Sequence, residues 1–474
     1  MYNAYVTKLT NVRPHPNADR LQLGDCFGNT VCVSLDYKEG DIGIYFPTDG
    51  QVSVEFAENN NLLRKKDDAG NNIGGYMDPN KRNVCAIRLR GEKSDGLFLP
   101  LSCLDYCFKD DAAAHLKEGD RIDVVNGHEI CNKYIPVKKN KAGTTIGAGN
   151  HTRKKKAPIA PLFAEHADTE QLAYNLSAFK SGDEVEITLK MHGTSQRTGY
   201  VPTLIGYHRT FWDKIFHREG TPVYDWGYVS GTRRTVLEDY EGGYYGDNAF
   251  RETHSKIFEN KLNKGETVYY EVVGFTNTGA PIMANADNKK LNDKEFIKKY
   301  GEVTQFSYGC EANPMIHEGY NDSFYGYQDE HVEYKAPQSD IYVYRMTMTN
   351  EDGFVVEYTP DFMRYRCEQM GVKCVPVMWK GTIPQNPASA DDPTISAGEW
   401  IKNVAELYYD GPDPIGKTHV REGVVVRILN RPKFAAYKHK NFEFRVIEGI
   451  IKDTAEVPDM EEAQEVADEN SGDN

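Results

Sequence analysis

The sequence predicts a chain of α/β (α+β) class, in which a small N-terminal β-barrel precedes a larger mixed domain built on antiparallel sheets. Three observations carry this. Residues 1–132 hold short apolar runs separated by Gly, Asp, Asn and Pro. Residues 138–156 (KKNKAGTTIGAGNHTRKKK) interpose seven Lys or Arg among Gly, Thr and Asn. From about residue 170, strand-like runs alternate with charged helical ones. The length of 474 residues allows two large domains or three of ordinary size. Hydrophobic residues at 39% and charged residues at 27% suffice for sizeable cores and exclude a mostly disordered chain.

The barrel rests on Asn29–Leu35, Ile42–Pro47, Val84–Leu89 and Gly96–Leu101, short apolar runs at the spacing of a small closed sheet. Residues 133–169 read as a basic linker. A solvated spacer and a phosphate-contacting segment are equal readings of it. In the larger domain, 170–452, the expected strands are Glu184–Lys190, Thr267–Val273, Asp340–Met346, Gly423–Ile428 and Phe442–Val446, with helices at 292–300 and 397–408. The last segment, 453–474, holds nine acids and no Lys or Arg, as solvated disordered tails do.

The net charge of −15 would argue against a nucleic-acid partner, but the tail supplies much of it. The rest is only mildly acidic, so that partner class stays open. No run approaches the roughly 18 apolar residues of a membrane span, and the start lacks a signal-peptide core. Nine cysteines in so long a chain are no disulfide framework. A soluble, cytoplasmic (intracellular) monomer is expected.

The chemistry-bearing segments lie in order along the larger domain. Lys190-Met191-His192-Gly193 ends a strand. Ser230-Gly231-Thr232-Arg233-Arg234-Thr235 follows, then Tyr270-Glu271-Val272-Val273-Gly274, a charge on an apolar strand. Asp340-Ile341-Tyr342-Val343-Tyr344-Arg345, Glu422-Gly423-Val424-Val425-Val426-Arg427 and Tyr437-Lys438-His439-Lys440 complete the series. Each is weak alone. Zinc is unsupported, since Cys103 and Cys107 lack a second pair, and Gly416-Lys417-Thr418 lacks the glycine spacing of a P-loop.

Together these six segments resemble motifs I, Ia, III, IIIa, IV and V of the covalent nucleotidyltransferases, the superfamily of polynucleotide ligases and mRNA-capping enzymes. Lys-x-His-Gly is the form typical of nick-sealing RNA ligases. In the N-terminal part, His15-Pro16-Asn17-Ala18-Asp19-Arg20-Leu21 resembles a signature of tRNA-binding OB-fold modules. Ile87-Arg88-Leu89-Arg90-Gly91 with Ser94-Asp95-Gly96-Leu97 resembles the N-terminal module of certain RNA ligases. The chain as a whole resembles the Deinococcus-type RNA ligase family.

The resemblance implies an ATP-dependent RNA ligase with an OB-like module before its adenylyltransferase domain. Lys190 would attack the α-phosphate of ATP. A free lysine with pKa about 10.4 is almost wholly charged at neutral pH, so this attack needs nearby cations, a metal or burial. Lys438 and Lys440 would supply charge, and at spacing two on a strand they share a face. Glu271 and Glu422 would hold Mg²⁺ or Mn²⁺, or one of them the ribose. Tyr344 would stack on adenine, although strand alternation alone does not separate it from Tyr342. Arg234, with Arg233, would hold phosphate or ribose. His192 would act in the transfer of AMP to the RNA 5′-phosphate, and Gly193 would permit the turn. The pattern departs from the family at Ser195, where relatives often carry Asn, and at Arg427, where motif IV normally ends in Lys. The implied partner is RNA, or a nicked RNA/DNA duplex, with 3′-OH and 5′-phosphate ends and no membrane. Two rival classes remain: a GTP-using capping-type enzyme, and a non-catalytic tRNA- or RNA-binding protein.

Overall fold

The computed structural model describes residues 2–66, 72–134, 157–216, 220–237, 240–242, 246–274, 276, 282–283, 294, 298, 339–388, 394–415 and 420–445. The charged run 138–156, most of the expected helix 292–300 and the acidic tail lie outside them. The chain divides into two compact units, Met1–Pro136 with Arg445–Thr454, and Val137–Phe444 with Ala455–Asn474.

The first unit is built mainly of short strands, with helix Val54–Asn59 and the short helical segments Leu101–Cys107 and Ala112–Ala114. Ala4–Lys8 pairs with Ile42–Phe46 on one side and Arg121–Ile122 on the other, and Leu97–Pro100 adds to Ile42–Phe46. Thr10–Pro14, Leu21–Cys26 and Asn29–Ser34 make a second sheet. Three of the four expected strands therefore form close to their bounds, and the fourth is split into Asn83–Val84 and Ala86–Leu89. The expected barrel closure is not seen: among the described residues the sheets are separate and open. Closure needs continuous tilted pairing around the ring, and strands of two to six residues do not sustain it. The core is Val6, Ile44, Phe46, Phe56, Leu104 and their neighbours.

The two N-terminal signatures meet in this unit. His15 Nε2 lies 3.1 Å from Leu89 O, and Asn17 Nδ2 donates to Arg90 O at 3.0 Å. Asp95 is buried and receives Arg445 Nη1 at 2.8 Å. Burial pushes its carboxyl up from the usual range, against the pull of Arg445.

Among the described residues the second unit carries a small hairpin of Glu241–Gly242 with Gly246–Asp247 and two large sheets. One has the order Glu170–Gln171, Ala436–Lys440, Gly423–Ile428, Glu184–Leu189, Val377–Thr382. The other runs Val236–Leu237, Thr221–Gly231, Thr194–His208, Glu266–Gly274, Ser339–Thr349, Val355–Glu357, with Lys373–Cys374 parallel to Ser339–Thr349. In the first sheet, alternation sorts the side chains. Val185, Ile187 and Leu189 pair with Ile428, Val426 and Val424. All but Leu189 of these enter a core with Leu172 and Ile401. Ile401 lies on helix Ala397–Glu406, whose start is fixed by a capping box of Ser396 and Glu399. The polar residues Glu186 and Thr188, paired with Arg427 and Val425, take the opposite face.

One expected strand is corrected. Residues 442–445 form a helical turn, not the strand read from Phe442–Val446. The Phe-Glu-Phe alternation imitates a strand, but Asn441 Oδ1 accepts Glu443 N at 2.8 Å and starts the turn.

Candidate active site

Strand parity carries Lys190 to the polar face of the first sheet, two residues beyond Thr188. Its own N–H donates to Gly423 O at 3.0 Å, tying it to the strand that follows Glu422. The lysine Nζ lies 2.9 Å from Glu422 Oε1, and Lys440 Nζ lies 3.4 Å from the same oxygen. His192 Nδ1 is 3.1 Å from Glu422 Oε2. Glu422 is 2% exposed. Burial alone would raise its pKa, but Lys190, Lys440 and His192 outweigh that and hold the carboxyl well below the usual range. Three cationic or protonatable groups thus converge on one buried carboxylate.

The helical turn at 442–445 completes this corner. Phe444 meets the His192 ring edge-on at 4.9 Å, and Lys440 Nζ lies 6.0 Å from the Phe444 centroid. Gly193 is required by close approach, since a Cβ there would sit 2.3 Å from Val272 O and 2.9 Å from Glu271 Cγ. Gly193→Ala is therefore expected to cost about 1–3 kcal/mol. The check is a lower melting temperature with reduced site activity.

One cavity opens beside Lys190. Glu186, Thr188, Val425, Arg427 and Ala436 line it from the first sheet, and Ser195, Glu271 and Tyr344 from the second. Arg233, His166 and Met363 complete its wall. The register explains Tyr344. Tyr269 pairs with Arg345 and Tyr270 with Val343, so Tyr344 is the extra residue of a β-bulge, which re-aims a side chain. Its hydroxyl lies 2.9 Å from Ser195 Oγ, and His166 meets its ring at 5.3 Å and 61°. Tyr342 instead is 3% exposed, with Lys373 Nζ 5.7 Å from its ring centroid.

Of the basic pair, Arg233 lines the cavity and Arg234 is half exposed, and both pair with Asp168, at 3.7 and 3.2 Å. The loop bearing them is pinned by buried Arg197, which donates Nε to Thr232 O at 2.9 Å and Nη2 to Arg234 O at 3.0 Å. Its Nη1 reaches Phe163 O at 3.1 Å. Burial pushes this guanidinium down to about 10. Arg427 stacks on Phe434 at 5.0 Å and donates to Tyr358 O at 2.9 Å. Burial lowers its pKa too, against the pull of Glu357. Lys438 is half-buried and pairs with Val425, which places it on the cavity side of the sheet.

Sequence reasoning missed Glu186, Thr188 and His166. The first two were signalled by polar residues at alternate positions of a strand otherwise apolar. His166 fell in a segment read as linker and gave no signal. No cluster of three or more His, Cys, Asp or Glu able to hold a metal occurs among the described residues. Glu422 is engaged by Lys190, Lys440 and His192, and Glu186 by Arg364, so of the carboxylates at the cavity Glu271 would suit a hydrated divalent ion. The eight cysteines among the described residues form no disulfide with one another, and no described helix is long and apolar enough to cross a membrane.

No protein-family model matches the chain, and no curated protein matches it. Solved structures do. A variant of Naegleria gruberi RNA ligase with ATP and Mn is similar at a TM-score of 0.52 and 16% identity, over 94% of this chain and 97% of that one. The Naegleria gruberi RNA ligase with pyrophosphate gives 0.51 and 16%, over 93% and 97%. The chain shares the fold of these RNA ligases.

Proposed function

We propose that the chain is an ATP-dependent RNA ligase, close in organisation to the Deinococcus-type family, joining a 3′-OH RNA end to a 5′-phosphate end. The observation that carries this is the convergence of Lys190, Lys440 and His192 on buried Glu422, beside a cavity lined by Tyr344. In this reading Lys190 is the nucleophile. Positive charge exceeds negative around Glu422, so losing a proton from one amine relieves repulsion, and the same excess attracts a triphosphate.

The Lys190 ammonium gives up a proton to water, and its nitrogen then bonds the α-phosphorus of ATP as the bond to pyrophosphate breaks. The second amine proton also passes to water, leaving lysyl-AMP. AMP next moves to a 5′-phosphate, and the 3′-hydroxyl displaces AMP from the activated end. Lys440, Lys438, Arg427 and Arg233 would neutralise phosphate charge in these transfers, and Tyr344 would stack on the base. Glu422 would orient Lys190 and His192. A bound Mg²⁺ or Mn²⁺ would supply charge neutralisation at the phosphates, with Glu271 its protein carboxylate. The first unit would grip the strand on the 3′-OH side in the manner of an OB module.

The test uses radiolabelled ATP or GTP with Mg²⁺ or Mn²⁺, followed by a nicked duplex with an RNA or DNA 3′ end. Labelling by ATP but not GTP, and sealing of the RNA-ended nick, is expected. Labelling by GTP alone would assign the chain to capping chemistry. Tyr344→Ala is expected to raise the ATP concentration for half-maximal labelling about fivefold or more, as loss of base stacking does. Tyr344→Phe keeps the ring and should stay near the wild type.

A further inference from the structure

The longest strand outruns its sheet. Thr194–His208 pairs with Glu266–Gly274 only as far as Gly199, and beyond that its ladder partner among the described residues is Thr221–Tyr228. A lone two-stranded ribbon is marginally stable in water. One face of it is covered, as Ala160 and Phe163 pack with Val201 and Val229. On the other face the register stacks Tyr200 with Tyr228, Pro202 with Trp226 and Leu204 with Tyr224. The Tyr200 and Tyr228 rings lie 4.6 Å apart at 18°, and Lys264 Nζ sits 5.1 Å from the Trp226 centroid. This face carries no acid, because Asp225 pairs with Thr203 and points the other way.

The ribbon ends in helix Phe211–Ile215, where Phe211 is 71%, Trp212 63% and the following Phe216 59% exposed. A cluster of exposed large apolar groups marks an interaction surface. Its surroundings are basic although the chain carries −15: residues 207–216 (YHRTFWDKIF) hold His208, Arg209 and Lys214 against a single acid. That acid, Asp213, is committed to the helix cap, accepting from Thr210 N at 2.9 Å and Thr210 Oγ1 at 2.6 Å. Flat rings along a strand face, with Lys264 over Trp226 and no acid of either strand among them, suit a polyanion that also offers flat bases. A membrane surface would engage the tip alone and leave the rings around Trp226 unexplained.

We propose that this ribbon docks a single nucleic-acid strand, with bases on the exposed rings of Phe211, Trp212 and Phe216 and on the half-buried Trp226, and phosphates on Lys264 and Arg209. The class of partner rests on the ligase reading, and the surface is distinct from the nucleotide cavity. The test measures binding of a fluorescein-labelled single-stranded RNA 16-mer across a salt series. Wild type, Phe211→Ser/Trp212→Ser and Lys264→Ala are compared, with ATP labelling of each in parallel. The double variant should bind at least about fivefold more weakly. Lys264→Ala should reduce the salt slope by about 0.7. Both should label with ATP as the wild type does. Unchanged RNA affinity and slope in both variants overturns the proposal. So does flotation with phosphatidylserine-containing vesicles that the double variant loses while its RNA binding is kept. Absent labelling in the wild type would count against the ligase reading, while the RNA arm still decides this one.

Discussion

Glu422→Gln is expected to slow nucleotide transfer to Lys190 at least about a hundredfold and to destabilise the second unit by about 3–5 kcal/mol. The size of the effect follows from burial. The carboxylate is 2% exposed and sits within 3.4 Å of Lys190, Lys440 and His192. Removing its charge leaves those groups facing one another with nothing to offset them, and Lys190 loses the contact that orients it. Glu422→Asp keeps the charge on a shorter arm and should recover much of the stability but less of the rate. The pH dependence has a fixed sign. A carboxyl held well below its usual range contributes stability that is complete above its unfolded value, about 4.3, and fades as pH falls through the lower folded value. Glu422→Gln should therefore flatten the acid limb of a melting-temperature profile, which differential scanning calorimetry reads directly.

The second large effect concerns which step Lys190 serves. Lys190→Ala should abolish sealing of a 5′-phosphate nick with ATP, a loss beyond about a thousandfold, because no covalent carrier remains. The same variant should still seal a strand already bearing AMP on its 5′-phosphate, without ATP, since that last transfer needs the charged cavity but not the nucleophile. His192→Ala should show a different profile: it forms the lysyl adduct but stalls in passing AMP to the 5′-phosphate. Denaturing gels of the two variants on the two substrates separate these roles. Failure of Lys190→Ala on the pre-activated strand would mean that the lysine is structural as well.

How much of this was readable without coordinates depends on how local each signal is. Strands Glu184–Leu189 and Gly423–Ile428 were legible because their apolar positions alternate with Glu186, Thr188 and Arg427. Lys190 was legible through Lys190-Met191-His192-Gly193 and the ordered segments that follow it, and the structure sets it on the polar face of that strand. Strand alternation did not separate Tyr344 from Tyr342; the family pattern selected Tyr344, and its physical cause is a bulge that depends on the neighbouring strand's register and leaves no mark in the sequence. The Phe-Glu-Phe run at 442–444 misled because period two is shared by strands and by chance, and the cap from Asn441 decided it. Arg233 and Arg234 are adjacent, so which one faces the cavity is set by the turn that Arg197 pins from another strand. The N-terminal strands were legible singly, but their closure into a barrel is a property of pairing over distance. His166 reaches Tyr344 from far along the chain and announced nothing.

In the proposed reaction Lys190 becomes covalently bound to AMP. An intact-mass spectrum of the purified protein, stripped of bound nucleotide and incubated with ATP and Mn²⁺, tests it most directly, with peptide mapping of the product. A gain of one AMP is expected, located on Lys190, reversed by pyrophosphate and absent from Lys190→Ala. A folded protein that gains no nucleotide, or an adduct of equal yield in Lys190→Ala, would contradict it.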